Sequence, residues 1–302
     1  MLPIKFDYAA PENLAAAAKL LHENQQARIL AGGHSLLTAI KSGLISPSLL
    51  IDLKKIPNLQ DIKLPQETGG ILQIGGMTTY DQVATSSEVQ KNYQALAEAA
   101  NSIGDPQIRN WGRMGDIFAY RDLACDLLAV ALVLEATFHL TSANNSRVIT
   151  ADDFISLGIQ TQWQIPEILT SIDFPAPISR SGSAYEFLKH PASGYVICGI
   201  AVLVELSAND VVDKCSVAVT GATSYPLRLS QLAHRMQGKA PTPKNIATAA
   251  NLARESITTA QVSNQELTIV ADRYASSEYR HHMIGVLTQR ALTRALKQTQ
   301  IP

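Results

Sequence analysis

The sequence is poor in the residues and patterns that mark several protein classes. It has three cysteines, Cys125, Cys198 and Cys215, spread over 302 residues. An iron–sulfur cluster usually takes four thiolates, so no cluster is expected on this chain. The apolar surroundings of the three predict buried, inert thiols. Seven histidines never fall into H-x-x-E-H or C-x2-C spacing, so no metal site is expected. No G-x-S-x-G elbow offers a nucleophilic serine. A formal net charge of −1 leaves no basic surplus for nucleic acid. No apolar run approaches the ~20 residues of a membrane span. The opening MLPIKFDYAAPEN has neither the charged nor the apolar region of a secretory signal, so a cytoplasmic setting is expected.

The chain has 46% hydrophobic and 17% charged residues, a globular composition. Its length suggests about two domains. Pro11 opens a first helix with Leu14, Ala17, Ala18 and Leu21 on one stripe. Arg28 to Leu30 reads as a strand running into AGGHSLLTAIKSG, and Leu49 to Leu53 as another. From Gly69, ILQIGG reads as a strand and TTYDQVA as a short helix capped by Thr78 or Thr79. Leu96, Ala99, Ala100 and Ile103 mark a helix, and GDPQIRNWGRMGD reads as a long polar loop. Ala124 to Leu134 predicts a helix buried on all sides. Strands follow around Phe138 and at Glu167 to Phe174. Pro175, Pro177 and Ser179 to Ser183 read as a linker. Beyond it come three antiparallel strands, Ala184–Lys189, Ile197–Leu206 and Lys214–Gly221. The remaining helices are one near Leu229, one opened by Thr242 and Pro243, and a long one from about Ser277 to Thr299. Glu278, Arg280, His281 and His282 read as the solvated face of that last helix.

Two segments carry candidate chemistry. In Ala31-Gly32-Gly33-His34-Ser35-Leu36, two glycines between a strand and a helix allow positive φ and close backbone approach. The helix start aims free N–H groups and a positive end at the turn, with Ser35 as cap or donor, an arrangement that suits a pyrophosphate. In Gly112-Arg113-Met114-Gly115-Asp116, preceded by Arg109, the arginines can pair with phosphates. Asp116 opposes an anion unless Arg113 neutralises it. Trp111 is placed to fill space beside this segment.

Together these segments resemble the flavin-binding medium subunit of the molybdenum hydroxylases. The likeness runs through Arg28–Asp52, through LAEAANSIGDPQIRNWG, and through GSAYEF, ICGIAVLVEL, TGATSYPLR and ASSEYRHHMIGVLTQRAL. It implies an α+β protein. A two-lobed FAD-binding domain of the vanillyl-alcohol-oxidase (PCMH) type would span 1–176, with lobes of about 1–57 and 58–176. A smaller C-terminal α+β domain with a three-stranded antiparallel sheet and helices would span 177–302. The implied cofactor is FAD. Its implied binding residues are Ile29, Leu30, Ala31, Gly32, Gly33, His34, Ser35 and Leu36 in the first loop; Gly112, Arg113, Met114 and Gly115 in the second; and Asp126 and Leu169. No side chain is assigned as catalytic. The implied partners are a ferredoxin-like [2Fe-2S] small subunit and a molybdopterin-binding large subunit. The implied role is electron transfer from the clusters to an external acceptor.

The second loop departs from the family's Gly-Thr-Ile-Gly-Gly-Asn/Ser. Arg113 replaces Thr, Asp116 replaces the last Gly and Ile117 replaces the polar residue. The following segment is also altered, Tyr120 to Leu128 standing where the family has His-Ala-Asp-Pro-x-x-Asp-Leu-Pro, although Asp126 is kept. After Tyr185 the family's basic cluster is thinned to Glu186, Phe187, Leu188, Lys189, His190 and Pro191. The alternative expectation is therefore a non-catalytic scaffold or binding module of the same fold with a degraded flavin site.

Overall fold

The computed structural model describes residues 5–64, 70–118, 125–161, 166–257, 261–262, 265–266 and 268–299. Tyr120 to Ala124 and Trp163 lie outside them. The chain begins β1 (Asp7–Ala9), α1 (Leu14–Glu23), β2 (Ala27–Leu30), α2 (His34–Lys41), β3 (Leu49–Asp52), β4 (Ile62–Lys63) and β5 (Leu72–Gly75). It continues α3 (Tyr80–Thr85), α4 (Ser87–Asn92), α5 (Gln94–Ser102), α6 (Pro106–Trp111), α7 (Asp126–Val133), β6 (Thr137–Thr141), β7 (Ser146–Thr150), α8 (Ala151–Thr161) and β8 (Ile168–Phe174). It closes with β9 (Ser181–Lys189), β10 (Val196–Leu206), β11 (Val212–Thr220), β12 (Leu227–Arg228), α9 (Ser230–Met236), α10 (Pro243–Ile257), β13 (Gln261–Val262), β14 (Gln265–Glu266) and α11 (Ser277–Gln298).

Two compact units result. The first holds residues 1–83, 105–122 and 136–175, and the second 84–104, 123–135 and 176–302. In the first unit, β1, β3 and β2 form a parallel sheet in that order, with Leu30 level with Asp52. A five-stranded sheet runs β4-β5-β8-β6-β7, every pairing antiparallel. Ala17, Ala18, Ala27, Ile51, Leu53, Met77 and Ile168 share one core cluster of this unit. Leu36, Ile40 and Leu50 form another.

In the second unit the antiparallel sheet runs β12-β11-β10-β9. The two-residue β12 adds a fourth strand to the three read from the sequence. Cys198, Ile200, Val202 and Val204 of β10 join a core cluster with Leu232, Ala249, Ala253, Ile284, Leu287 and Leu292 from α9, α10 and α11. Helix α7 also packs on β10 and β11. Ten of the eleven β10 residues are buried, so the strand reads as a nearly continuous apolar run rather than an alternating one. All eight residues of α7 are buried as well, as its lack of a polar stripe predicts.

Several helix boundaries are set by caps. Asn13, not Pro11, begins α1: its side chain accepts the Ala16 N–H at 2.9 Å. Thr79 and Gln82 cap α3 reciprocally, the Gln82 N–H donating to Thr79 Oγ1 at 3.0 Å and the Thr79 N–H to Gln82 Oε1 at 2.9 Å. This is a capping box. The long loop read over 104–116 is instead helix α6 followed by a 3-10 turn over Met114–Phe118. The signal was present: Asp105 accepts the Ile108 N–H at 2.9 Å and Pro106 sits in the first turn, the usual helix-opening pair. The linker read to Ser183 ends early, because β9 starts at Ser181 and pairs along β10.

The last helix corrects another reading. Arg280 is only 2% exposed. It donates to the Ile197 and Gly221 carbonyls at 2.8 and 2.7 Å and to Asp272 at 2.6 Å. His281 is half-buried and its Nε2 lies 3.1 Å from Arg254 O. Only Glu278 and His282 of that group are exposed. Cys198 and Cys215 are buried, and burial pushes both thiols up to about 12, which removes their nucleophilic form at neutral pH. Cys125 is half-buried.

Candidate functional site

In the first loop the two glycines do different work. Gly33 has φ 83° and is the N-cap residue of α2, without a side-chain cap. That conformation favours glycine because it has no Cβ. Gly32 does not have a positive φ. Its requirement is space: a Cβ there would overlap Trp111 O and the Asp116 carboxylate. The first loop is therefore pressed directly against the second. His34 opens α2 and is exposed, and Ser35 lies inside the helix, so Ser35 is not its cap. Ile29, Leu30 and Ala31 are half-buried. Leu36 is buried with Ile40 and Leu50 and anchors the helix.

The second loop is fixed mainly through its backbone. Gly112 O accepts the Tyr80 N–H at 3.1 Å, the Met114 N–H donates to Thr78 O at 2.9 Å, and the Gly115 N–H donates to Gly76 O at 2.6 Å. The Gly76 N–H in turn donates to Thr170 O at 2.8 Å. A Cβ on Gly76 would overlap Leu169 O. Met114 is 1% exposed and Leu169 4%. Sequence reading missed Gly76 and Tyr80. The Gly75-Gly76 pair at the end of β5 carried the same strand-then-glycine signal as the first loop. Trp111 does not fill the loop, being 64% exposed; its carbonyl, not its indole, backs Gly32.

Asp116 and Arg113 are arranged differently from a facing ion pair. The Gly32 N–H donates to Asp116 Oδ1 at 3.0 Å, and the Arg113 backbone N–H donates to Oδ2 at 2.7 Å. The Arg113 guanidinium turns away, Nη1 donating to Met77 O at 2.9 Å, while its Nε is buried without a hydrogen-bond partner. Burial raises the Asp116 carboxyl above its ordinary range, against the pull of the two amides, His34 and Arg113. Burial also lowers the Arg113 guanidinium, with Asp116 and Asp52 opposing.

Asp126 belongs to the second compact unit. It opens α7 and is 7% exposed. The Tyr185 phenol donates to its Oδ1, and Lys189 Nζ lies 3.7 Å from its Oδ2. Lys189 also donates to Ser102 O. Burial, then the neighbouring Asp126 carboxylate, hold the Tyr185 phenol well above its usual range. Beside them Arg294 bridges Glu98 and Glu186, the latter at 2.5 Å. Among the described residues no cluster of His, Cys, Asp and Glu could hold a metal ion.

These features test the fit of a dinucleotide. A close-packed glycine, a positive-φ glycine at a helix start and a buried arginine N–H with no partner suit an anionic diphosphate. Those three features fit such a group, and the carboxylate already resting on the Gly32 amide opposes it.

Comparison with known proteins agrees with this assignment. A family model described as FAD binding domain in molybdopterin dehydrogenase matches residues 4–177. One described as CO dehydrogenase flavoprotein C-terminal domain matches residues 183–295. The chain is 33% identical over 296 residues to the carbon monoxide dehydrogenase medium chain of Hydrogenophaga pseudoflava, covering 98% of each. It is 28% identical over 299 residues to the xanthine dehydrogenase FAD-binding subunit of Escherichia coli O157:H7, covering 96% of this chain and 97% of that one. A solved carbon monoxide dehydrogenase from Hydrogenophaga pseudoflava superposes with a TM-score of 0.86 at 31% identity, with 99% of each chain covered. With both halves of the chain matched in order, the chain belongs to the FAD-binding medium subunits of the molybdenum hydroxylases.

Proposed function

We propose that this chain carries electrons within a multi-subunit oxidoreductase. It would receive them from the clusters of a ferredoxin-like [2Fe-2S] small subunit and deliver them to an external acceptor. Substrate oxidation would belong to a molybdopterin-binding large subunit. When bound, FAD supplies the redox chemistry, and the protein supplies position and electrostatics. Gly32, Gly33 and the start of α2 would hold its diphosphate through main-chain N–H groups. Gly112 to Gly115, kept in place by Gly76 and Leu169, would line the other side. Electron transfer needs no general acid or base, so none is assigned. The division follows the resemblance: residues 1–176 form the FAD-binding domain, with lobes of about 1–57 and 58–176, and 177–302 the C-terminal domain.

The observation that carries this reading is the close seating of Gly32 against Trp111 and Asp116, which gives both loops the backbone proximity a diphosphate site needs. A second reading, a scaffold with a degraded site, is favoured by the Asp116 carboxylate on the Gly32 amide. The visible absorption spectrum of the purified chain, before and after incubation with excess FAD and gel filtration, separates the two. Retained flavin bands are expected. A chain that stays colourless overturns electron transfer through this flavin and leaves the scaffold.

A further inference from the structure

The structure assigns Asp116 a role beyond that of a tolerated substitution: we propose that its carboxylate is an internal occupant of the phosphate cradle, which FAD must displace in order to load. The inference rests on the reading of this turn as the flavin site.

Three observations converge. Among the described residues, the carboxylate's hydrogen bonds come from main-chain groups, the Gly32 N–H at 3.0 Å and the Arg113 N–H at 2.7 Å. Two N–H groups converging on paired oxygens reproduce the way backbone amides receive a phosphate. The side chain that could have neutralised it points elsewhere, Arg113 Nη1 reaching Met77 O. Arg113 also keeps a buried Nε–H with no partner, a donor in reserve beside an anion site. Gly32 leaves no room for both occupants, since even a Cβ at that position would overlap the carboxylate. A diphosphate that takes the Gly32 amide must therefore move Asp116 out, and the two carry charge of the same sign.

Among the described residues, the groups that act on Asp116 come from two loops. From the first loop they are the Gly32 amide and the His34 ring at the start of α2; from its own loop, the Arg113 amide and, at longer range, the Arg113 guanidinium. Asp52, at the end of β3, also acts on Arg113. Asp52 itself is held by the Tyr8 hydroxyl at 2.6 Å and by Lys54.

The test is FAD affinity by fluorescence titration of the purified apo-chain, for wild type, Asp116→Asn and Asp116→Gly. The thermal midpoint of each is measured with and without FAD. Asp116→Asn keeps an oxygen acceptor for one amide and removes the charge; Asp116→Gly removes the occupant. Both variants are expected to bind FAD at least tenfold more tightly than wild type, Asp116→Gly the most. Without FAD, Asp116→Gly is expected to melt below wild type, because the two amides lose their acceptor; with saturating FAD the order should reverse. Equal or weaker binding by both variants beside a wild type that binds overturns the occupant while leaving the flavin reading intact. Failure of all three folded proteins to bind FAD overturns both. Asp116→Gly binding where wild type does not supports the occupant and shows that the cradle is otherwise complete.

Discussion

Asp126 is buried and Asp116 half-buried, and their counter-groups come from different parts of the chain. Asp116 is held by two backbone amides, and the nearest guanidinium is turned to a carbonyl. Asp126 is held by side chains, the Tyr185 phenol and the Lys189 ammonium. A backbone amide cannot be tuned by substitution and serves any anion that reaches it. A tyrosine and a lysine converging in a packed unit serve the residue they were placed for. The first arrangement is an exchangeable site. The second is a set of side chains packed for one another, in which loss of one member weakens the rest. Sequence resemblance gave Asp126 to the cofactor and set Asp116 apart as a departure that opposes an anion; Tyr185 and Lys189, which hold Asp126, lie in its own unit.

Gly32→Val would break this contrast most severely. The new side chain would meet the Trp111 carbonyl and the Asp116 carboxylate. FAD retention should fall at least a hundredfold by fluorescence titration, and the forced overpacking should cost ~1–3 kcal/mol in denaturant melts. Normal affinity in this variant would move the cradle elsewhere.

Asp126→Ala comes next. It takes the carboxylate away from Lys189, which keeps only 14% of its side chain exposed and is left with the Ser102 carbonyl, and is expected to cost about 3 kcal/mol of stability, in the range for breaking a buried pair. Tyr185→Phe should cost ~1–3 kcal/mol by the same melts, through the lost donor. A double-mutant cycle of the two should show clear coupling. If Asp126→Ala instead left stability unchanged and abolished only FAD binding, Asp126 would be a cofactor residue after all.

Arg113→Thr is expected to have a smaller effect. It removes the bond to Met77 O, worth about 1 kcal/mol, but keeps the backbone N–H that Asp116 uses. A stability cycle between positions 113 and 116 should therefore give coupling of about 0.5 kcal/mol or less. Strong coupling would restore the neutralising side-chain pair that the sequence suggested.

The mildest probe is pH. Burial raises the Asp116 carboxyl, so its proton is taken up at a higher pH than in the unfolded chain. As pH falls from neutrality through that raised value, the occupant loses its charge and FAD should bind more tightly. The tightening should disappear in Asp116→Asn when FAD affinity is titrated across the same pH range. An unchanged slope in that variant would take the trend away from Asp116.

Much of the frame was legible because local chemistry decides it. The apolar α7, the long α11 and the β9–β11 sheet follow from residue periodicity and apolar runs. Strand β7 and helix α8 were not read: all five β7 residues are exposed or half-exposed, so no apolar pattern marks it. Helix α6 was hidden by its polar content, although Asp105 and Pro106 announced it. The solvated reading of Arg280 failed because a guanidinium can be buried when carbonyls and a carboxylate from distant segments meet its fork, and those partners are invisible along the chain.

At the site the division is sharper. By itself the sequence determined the family, the strand–glycine–helix turn at Gly32 and Gly33, and the presence of opposite charges at 113 and 116. Those are facts of composition, order and local backbone freedom. Only the tertiary structure decided which glycine carries the positive φ and which carries the contact. It also decided that Asp116 takes an amide 84 positions away and the Arg113 N–H instead of the Arg113 guanidinium. The reason is geometric: the 3-10 turn folds the Asp116 carboxylate back onto the Arg113 N–H, while close packing of the loops brings the Gly32 N–H within reach. Two fixed main-chain donors then hold the carboxylate, and the longer arginine side chain is free to find the Met77 carbonyl.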